Sequence, residues 1–279
     1  MSRTKLGILV LTVALSSLTI SAVPQKPIRA EKEVFKDVNN WAATAPGAIK
    51  LKGFKPFRAV YKRSYSQASG PNAGQARTDL IIMYAEEVGW DGKAAIMINL
   101  IDSADPKWED TNARQFFTVI DRQDMHVYFE SGPIPGKAKD YYFAQPSNGI
   151  ATMVTTAEGT VQTQKFPAGA VGWGPGPWAM ASMDLKGGMK IHLSPAITPV
   201  GSILGHRQGI VKDRREFKDA GGRKHNAWLI ETGGNLSSSR MGQLYLIPEP
   251  PYFLASFSRD LDTGQETDGT RLLSFRYLD

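Results

Sequence analysis

The sequence predicts a mainly β protein: a curved antiparallel sheet, forming a half-barrel or a barrel, with one N-terminal amphipathic helix packed against it. Three observations favour this fold. Apolar and polar residues alternate in many short segments after residue 54, as they do in strands that bury one face. Turn-forming residues separate neighbouring segments at hairpin spacing. Over residues 31–45, by contrast, the apolar residues recur with a helical period.

The composition excludes several classes of protein. Apolar residues make up 42% of the 279 residues and charged residues 22%, which excludes collagen-like and disordered chains. The chain contains no cysteine, so disulfides, zinc–thiolate sites, iron–sulfur clusters and a lipoprotein anchor are excluded. The formal net charge of +6 is a modest basic excess. Together with the export predicted below, it argues against a nucleic-acid partner.

Residues 1–22 predict a secretory signal peptide. Arg3 and Lys5 form its positive start, residues 6–15 form an uncharged apolar run, and a small-residue cleavage site follows. The alternative is an uncleaved membrane anchor, but residues 6–22 are fewer than the roughly 20 mostly apolar residues that a span needs. We therefore expect a bacterial protein that is periplasmic or secreted, with no transmembrane span after cleavage.

The mature chain divides into a leader with the helix, residues 23–53, and a single β domain, residues 54–279. In the helix predicted over 31–45, apolar residues recur three and four positions apart, and Pro46-Gly47 ends the pattern. The apolar stripe is wide and has to be covered. We therefore expect this helix to fill the concave face of the sheet.

The strands and their turns follow from the period-two segments. Strands are predicted over residues 57–66, 78–88, 94–101, 115–121, 125–130, 151–156, 160–166, 227–231, 243–247, 252–259 and 271–278. Hairpin turns are predicted at 89–92, 122–124 and 157–159. Ala220-Gly221-Gly222 predicts a further hairpin tip, which places the charged residues of 206–225 on two adjacent strands.

Several local sequences resemble a known family. They are the aromatic strand 57–65, Lys186-Gly187-Gly188 before a new strand, Trp228-Leu229-Ile230, the segment 245–252 and the final Tyr277-Leu278. This pattern resembles the uncharacterised periplasmic β-rich proteins grouped with the lipoprotein-carrier (Lol-type) half-barrels. The resemblance covers roughly residues 54–279, and regions 104–115 and 167–240 have no counterpart in it. It implies a curved sheet wrapped around a helix, an apolar cavity for acyl chains, and no catalytic residues.

The first functional hypothesis is a periplasmic binding or carrier protein for an apolar or amphipathic, lipid-like ligand. Aromatic residues of the first strand would line its cavity, and two tryptophans of the Gly/Pro-rich loop 172–178 would lie at its mouth. Residues of the basic segment 206–225 would meet a head group. These candidate ligand-binding residues are Phe57, Tyr61, Tyr65, Trp173, Trp178, His206, Arg207 and Arg215. The alternative for the tryptophan loop is a structural cover of one barrel end.

The second hypothesis is an exported enzyme, a hydrolase or lyase with its active site in a β-barrel cavity. It depends on the tryptophan loop and on His206 and His225, one of which would have to meet a carboxylate inside a pocket. The chain lacks the local motifs of zinc proteases, serine hydrolases and nucleotide-binding loops. No catalytic residue, metal site or cofactor is therefore predicted.

The third hypothesis is an envelope assembly factor without a small ligand. Residues 206–225 contain seven lysines and arginines against three acids, and such a cluster attracts an anionic partner. The alternative is a solvated hairpin whose charges protect a sheet edge. The acidic stretch 260–269 lacks the ligand order of a calcium loop and is interpreted as a polar hairpin loop.

Overall fold

A computed structural model describes residues 30–66, 75–103, 114–134, 137–147, 150–155, 161–165, 176–193, 208–233 and 239–279. These residues form a single antiparallel sheet of 14 strands. The sheet is open, with β8 and β9 at its two edges. The predicted mainly β fold is confirmed, and of the two predicted forms the closed barrel is not found. The predicted signal peptide, residues 1–22, lies outside the described residues.

The strand order places both ends of the β domain in the middle of the sheet. β1 (Phe57–Ser66) pairs with β14 (Glu266–Tyr277). From β1 the strands follow in chain order to one edge: β2 Ala76–Trp90, β3 Lys93–Ser103, β4 Arg114–Asp121, β5 Val127–Ile134, β6 Lys137–Ser147, β7 Ile150–Thr155 and β8 Val161–Lys165. From β14 they run back to the other edge: β13 Phe253–Asp260, β12 Arg240–Leu246, β11 Lys224–Thr232, β10 Gln208–Lys218 and β9 Lys190–His192.

Three of the four predicted hairpin turns lie among the described residues, and all three are confirmed. Asp91 and Gly92 join β2 to β3 with φ values of 48° and 73°, as a two-residue turn with positive φ at both positions requires. Residues 122–124 join β4 to β5, and the tip 220–222 joins β10 to β11. The predicted turn at 157–159 lies outside the described residues.

A short helix, α2 (Gly176–Ala181), lies in the main core, where the sequence predicted a loop. Five of its six residues are buried. The Trp178 ring lies 5.3 Å from the Phe57 ring and 5.3 Å from the Tyr252 ring. Phe57, Ala59 and Tyr61 alternate along β1 and all belong to this core. We call the sheet face that packs on α2 the inner face.

The N-terminal helix is shorter than predicted. α1 spans Ala30–Glu33 and continues as a 3₁₀ helix over Val34–Asn40. Within this 3₁₀ segment Asp37 has non-helical φ and ψ, and Trp41, which follows it, is extended. Helical backbone therefore ends at Asn40. This helix packs against the sheet as predicted, but in a separate small core that contains Phe35, Trp41, Met241 and Leu261. The helix in the main core is therefore α2, and the predicted extent of 31–45 is wrong.

Residues 42–56, which we call the strap, connect the N-terminal helix to β1 across the inner face. The Thr44 amide donates to the His192 carbonyl (2.8 Å), and the Lys50 amide donates to the Ser182 carbonyl (3.3 Å). The Tyr252 hydroxyl donates to the Lys52 carbonyl (3.0 Å). Within the ranges given above, none of the helices has the length and apolar character needed to cross a bilayer.

We expect Trp178→Ala to lower the free energy of unfolding by about 3–5 kcal/mol, because it leaves a large cavity between α2 and the sheet. Phe143→Ala is the control, since Phe143 is 41% exposed and its loss should change the free energy by no more than about 1 kcal/mol. Urea unfolding of both variants measures the difference. Equal losses would contradict the placement of Trp178 in the core.

Candidate functional site

The candidate site is a cleft of about 210 Å³ at one end of the inner face. Four parts of the chain meet there: the strap, the turn that follows α2, the β10–β11 hairpin and the segment after β12. The lining residues are Lys50, Lys52, Ala181, Ser182, Met183, Asp184, Leu185, Lys186, Arg214, Trp228 and Pro248. We call this site the basic cleft.

The charges of the basic cleft are strongly unbalanced. Four of the described lining residues are cations, and Asp184 is the single carboxylate among them. Lys52 Nζ lies 2.9 Å from Asp184 Oδ1. The hydrogen bond and the charge of Lys52, with the charges of Lys50 and Lys186, hold the pKa of the Asp184 carboxyl below its ordinary value. Among the described residues, no acid pairs with the other three cations, Lys50, Lys186 and Arg214.

Arg214 reaches the cleft because of a bulge in β10. The register between β10 and β11 shifts between Val211 and Arg214, so Arg214 lies opposite Trp228. The Arg214 guanidinium carbon lies 5.0 Å from the centre of the Trp228 ring, within the range of a cation–π contact. This contact stabilises the position of the guanidinium over the ring.

The Lys186-Gly187-Gly188 turn brings Lys186 to the same place. The Gly188 amide donates to the Val211 carbonyl (2.8 Å) beside the bulge. Gly188 has φ 79°, a left-handed conformation that side chains disfavour. A Cβ on Gly187 would lie 2.9 Å from the Lys212 carbonyl oxygen. Both glycines are therefore needed to carry Lys186 against β10.

The rest of the lining is apolar. Leu185 and Trp228 are partly buried and pack against the main core, and Met183 belongs to that core. Ser182 adds no free hydroxyl, because its Oγ donates to the Trp178 carbonyl (2.7 Å). The cleft can therefore hold an anionic group through its cations and contact an attached apolar segment.

Three of the predicted ligand-binding residues, Phe57, Tyr61 and Trp178, lie in the main core and not in the cleft. Phe57 and Trp178 pack on each other. The Tyr61 hydroxyl donates to the Phe253 carbonyl (3.1 Å), and burial raises the pKa of Tyr61 above its ordinary value. Tyr65 lies beside Arg63, with the guanidinium carbon 5.2 Å from the ring centre. The contact of these residues with a ligand stays a prediction.

The other predicted ligand-binding residues lie apart from the cleft or outside the described residues. Arg215 is exposed, and its Nε lies 2.8 Å from Asp213 Oδ1. Trp173, His206 and Arg207 lie outside the described residues. Their contact with a ligand likewise stays a prediction.

Sequence reasoning missed the residues that form the basic cleft. Three of them lie in segments that it had marked: Lys186 and Trp228 in the family-like motifs, and Arg214 in the basic hairpin. Lys50 and Lys52 had no signal, because they lie in the leader. The cleft residues lie in distant segments of the sequence, and only the fold brings them together.

In the β10–β11 hairpin, residues 208–232, most cations of the basic segment have acidic partners. The described pairs are Lys212–Glu231 (3.2 Å), Arg215–Asp213 (2.8 Å), Arg223–Asp219 (3.0 Å) and Lys224–Glu216 (2.9 Å). The Arg215–Asp213 and Lys224–Glu216 pairs are exposed and contribute little to stability, whereas Asp219 and Glu231 are buried. All four pairs neutralise much of the charge that the sequence suggested for a docking surface. Arg214 and Lys218 remain outside these pairs.

His225 meets a carboxylate at the tip of the same hairpin. Its Nε2 lies 2.9 Å from Asp219 Oδ2, which also accepts from Arg223 Nε (3.0 Å). Burial opposes ionisation of Asp219, but the hydrogen bonds from His225 and Arg223 outweigh it and place the pKa below its ordinary value. The Ala220 amide donates to the Leu272 carbonyl (2.7 Å) and anchors the tip on β14. Asp219 thus organises the tip and does not line the basic cleft.

A second charged cluster lies on the inner face at the other end of β1. Arg63 Nη2 lies 2.5 Å from Asp79 Oδ2 and 2.7 Å from Asp102 Oδ1, and Arg114 Nη2 lies 2.8 Å from Asp102 Oδ2. Both carboxylates are buried. The cluster is balanced in charge and joins four adjacent strands, which is a structural role.

A third cluster forms the turn between β4 and β5. Single ligand atoms of Asp121, Asp124 and His126 lie within 4.8 Å of one another. Asp121 accepts from the Gln123 amide (2.6 Å) and from the Tyr128 hydroxyl (2.6 Å). Asp124 Oδ1 lies 2.7 Å from His126 Nδ1. These contacts hold the turn together, so the cluster has a structural explanation.

Comparisons with known proteins add no family. A scan of protein-family models finds no match to the chain, and a search of curated proteins finds none either. The resemblance to Lol-type half-barrels is neither supported nor contradicted by this result and stays a prediction. The function is therefore proposed from the chemistry of the basic cleft.

We expect Asp219→Asn to lower the free energy of unfolding at pH 7 by about 1–3 kcal/mol, because a buried, charge-assisted hydrogen-bond acceptor is lost. The folded-state pKa is lowered, so the stabilisation is present above the unfolded carboxyl pKa of about 3.9 and disappears as the pH falls through the folded value. The difference from wild type should therefore shrink towards pH 2–3.

Urea unfolding at pH 7 and at about pH 3 measures this difference. Asp213→Asn is the control, because Asp213 is exposed and paired with Arg215, and its loss should change the free energy by less than about 1 kcal/mol. An Asp219→Asn penalty that is the same at both pH values would contradict the role of its charge.

Proposed function

We propose that this protein is a binding or carrier protein of the bacterial envelope that takes an anionic amphipathic ligand, with the charged group in the basic cleft. The observation that carries the proposal is the convergence of Lys50, Lys186 and Arg214, none with an acidic partner among the described residues, beside apolar side chains of the main core.

Electrostatics favours an anion at this place. Like charges that share a cleft repel each other, and solvent screens the repulsion only while the cleft is open to water. An anion that enters replaces this repulsion with charge-assisted hydrogen bonds, which contribute about 1.5–3 kcal/mol each. Lys52 is already paired with Asp184, so the three other cations provide most of the attraction.

The apolar lining favours a ligand with a hydrocarbon part. Each buried methylene contributes about 0.8 kcal/mol, so even a short apolar contact with Trp228 or Leu185 adds to the affinity. A cleft of about 210 Å³ admits the charged group and the first carbons of a chain. The proposal includes the periplasmic location that residues 1–22 predict. It also includes the acyl ligands that the resemblance to Lol-type half-barrels implies.

We expect octyl sulfate to bind the mature chain, residues 23–279, at least tenfold more tightly than octyl glucoside at low salt. The two ligands share the same alkyl chain, so the difference reports the charged group, and tenfold corresponds to about 1.4 kcal/mol. About 0.5 M NaCl should remove most of the difference, because salt screens the cations. Isothermal titration below the micelle concentration measures both affinities.

The matched variants are Lys50→Gln/Lys186→Gln and the control Lys36→Gln/Lys224→Gln, which removes the same charge from two exposed lysines paired elsewhere. The first should lose at least tenfold in affinity for octyl sulfate, and the control should lose less than twofold. Equal affinity of wild type for both ligands, or equal losses in both variants, would overturn the proposal.

A further inference from the structure

We infer that the charged group recognised by the basic cleft is a phosphate monoester in its dianionic form. This inference rests on the proposed function and names the ligand class for the same site. It begins from the charge balance. Once Lys52 and Asp184 are paired, no second carboxylate among the described lining residues balances the charges of Lys50, Lys186 and Arg214.

A monoanion leaves two of these three cations without compensation. A phosphate monoester carries about −1.5 to −2 at pH 7 and offers three terminal oxygens. It therefore compensates two cations or nearly so, and the lone pairs of its three oxygens are numerous enough to accept from all three. A carboxylate, a sulfate ester or a phosphodiester carries a single negative charge, and its match to the cleft is poorer.

The state of Arg214 supports the same ligand. Its guanidinium carbon lies over the Trp228 ring, 5.0 Å from the ring centre, and no described carboxylate occupies its N–H groups. The donors of a guanidinium lie in one plane, where they form paired hydrogen bonds to two oxygens of one phosphate. Lysine adds point charges without such a preference for direction.

Neutral donors contribute little to the choice of ligand. The Ser182 hydroxyl is bound to the Trp178 carbonyl, which leaves the Trp228 indole N–H as the single neutral side-chain donor among the other described lining residues. The titratable and charged groups that face the cleft are Lys50, Lys52, Asp184, Lys186 and Arg214. Selectivity therefore follows from the charge of the ligand and from the planar set of N–H donors on the Arg214 guanidinium.

The experiment compares octyl phosphate with octyl sulfate on the mature chain at pH 5.5 and pH 8.0. Octyl phosphate loses its second proton near pH 6, so its dianionic fraction rises about fourfold between these two pH values, and we expect its affinity to rise about threefold. Octyl sulfate is a monoanion at both values and reports any change in the protein itself. At pH 8.0, octyl phosphate should bind at least tenfold more tightly than octyl sulfate.

The variant Arg214→Lys keeps the charge and removes the planar fork. It should lose at least tenfold in affinity for octyl phosphate at pH 8.0 and a smaller factor for octyl sulfate, whose oxygens carry less negative charge. Arg271→Lys is the control, since Arg271 pairs with Glu266 (3.0 Å) and neither residue lines the cleft, and it should bind like wild type. Thermal unfolding confirms that both variants are folded.

Each other outcome has a distinct meaning. Equal binding of octyl phosphate and octyl sulfate at pH 8.0 would overturn the dianion inference and leave the proposed function intact. If neither binds better than octyl glucoside, the proposed function itself fails. If inorganic phosphate binds as tightly as octyl phosphate, the dianion inference holds but the ligand is free phosphate, and the amphipathic part of the proposal is overturned.

Discussion

The packing of Trp178 between Phe57 and Tyr252 is the contact on which the rest of the structure depends. An open sheet has an apolar face that something else has to cover, and here α2 covers the inner face near the middle of the sheet. Phe57 comes from β1 and Tyr252 directly precedes β13, so one contact joins the helix to both halves of the sheet. Tyr252 also binds the strap through the Lys52 carbonyl, which extends the same constraint to the N-terminal segment.

The basic cleft is a consequence of this arrangement. The strap and the turn after α2 are both held at the end of the helix, and they deliver three lysines to one place. The β10 bulge adds Arg214 from the opposite side. Because the cleft is open to water, the repulsion among its cations is screened and costs the fold little. The same charges become strong ligands once an anion displaces that water.

The sequence predicted the sheet well because period-two alternation is a local property. β1 was predicted with its observed bounds, and the β10–β11 hairpin followed from its glycine tip. β6 was missed because three consecutive aromatic residues, Tyr141, Tyr142 and Phe143, interrupt the alternation. α2 was missed because it begins with Gly176-Pro177 and is apolar all round, so it has a turn signal and no helical period. The cleft had no local pattern at all, since its residues come from distant segments.

Alternation shows which face of a strand is buried and does not show what buries it. Phe57 and Tyr61 share the buried face of β1, as the alternation predicted, but other parts of the chain cover them: Trp178 of α2 packs on Phe57, and Phe253 packs on Tyr61. The bulge in β10 gives a sharper example, because strict alternation from Val211 would place Arg215 on the inner face. One extra residue shifts the register, so Arg214 faces the cleft and Arg215 faces away. A single inserted residue therefore decides which of two adjacent arginines belongs to the site, and the hydrophobic period carries no trace of it.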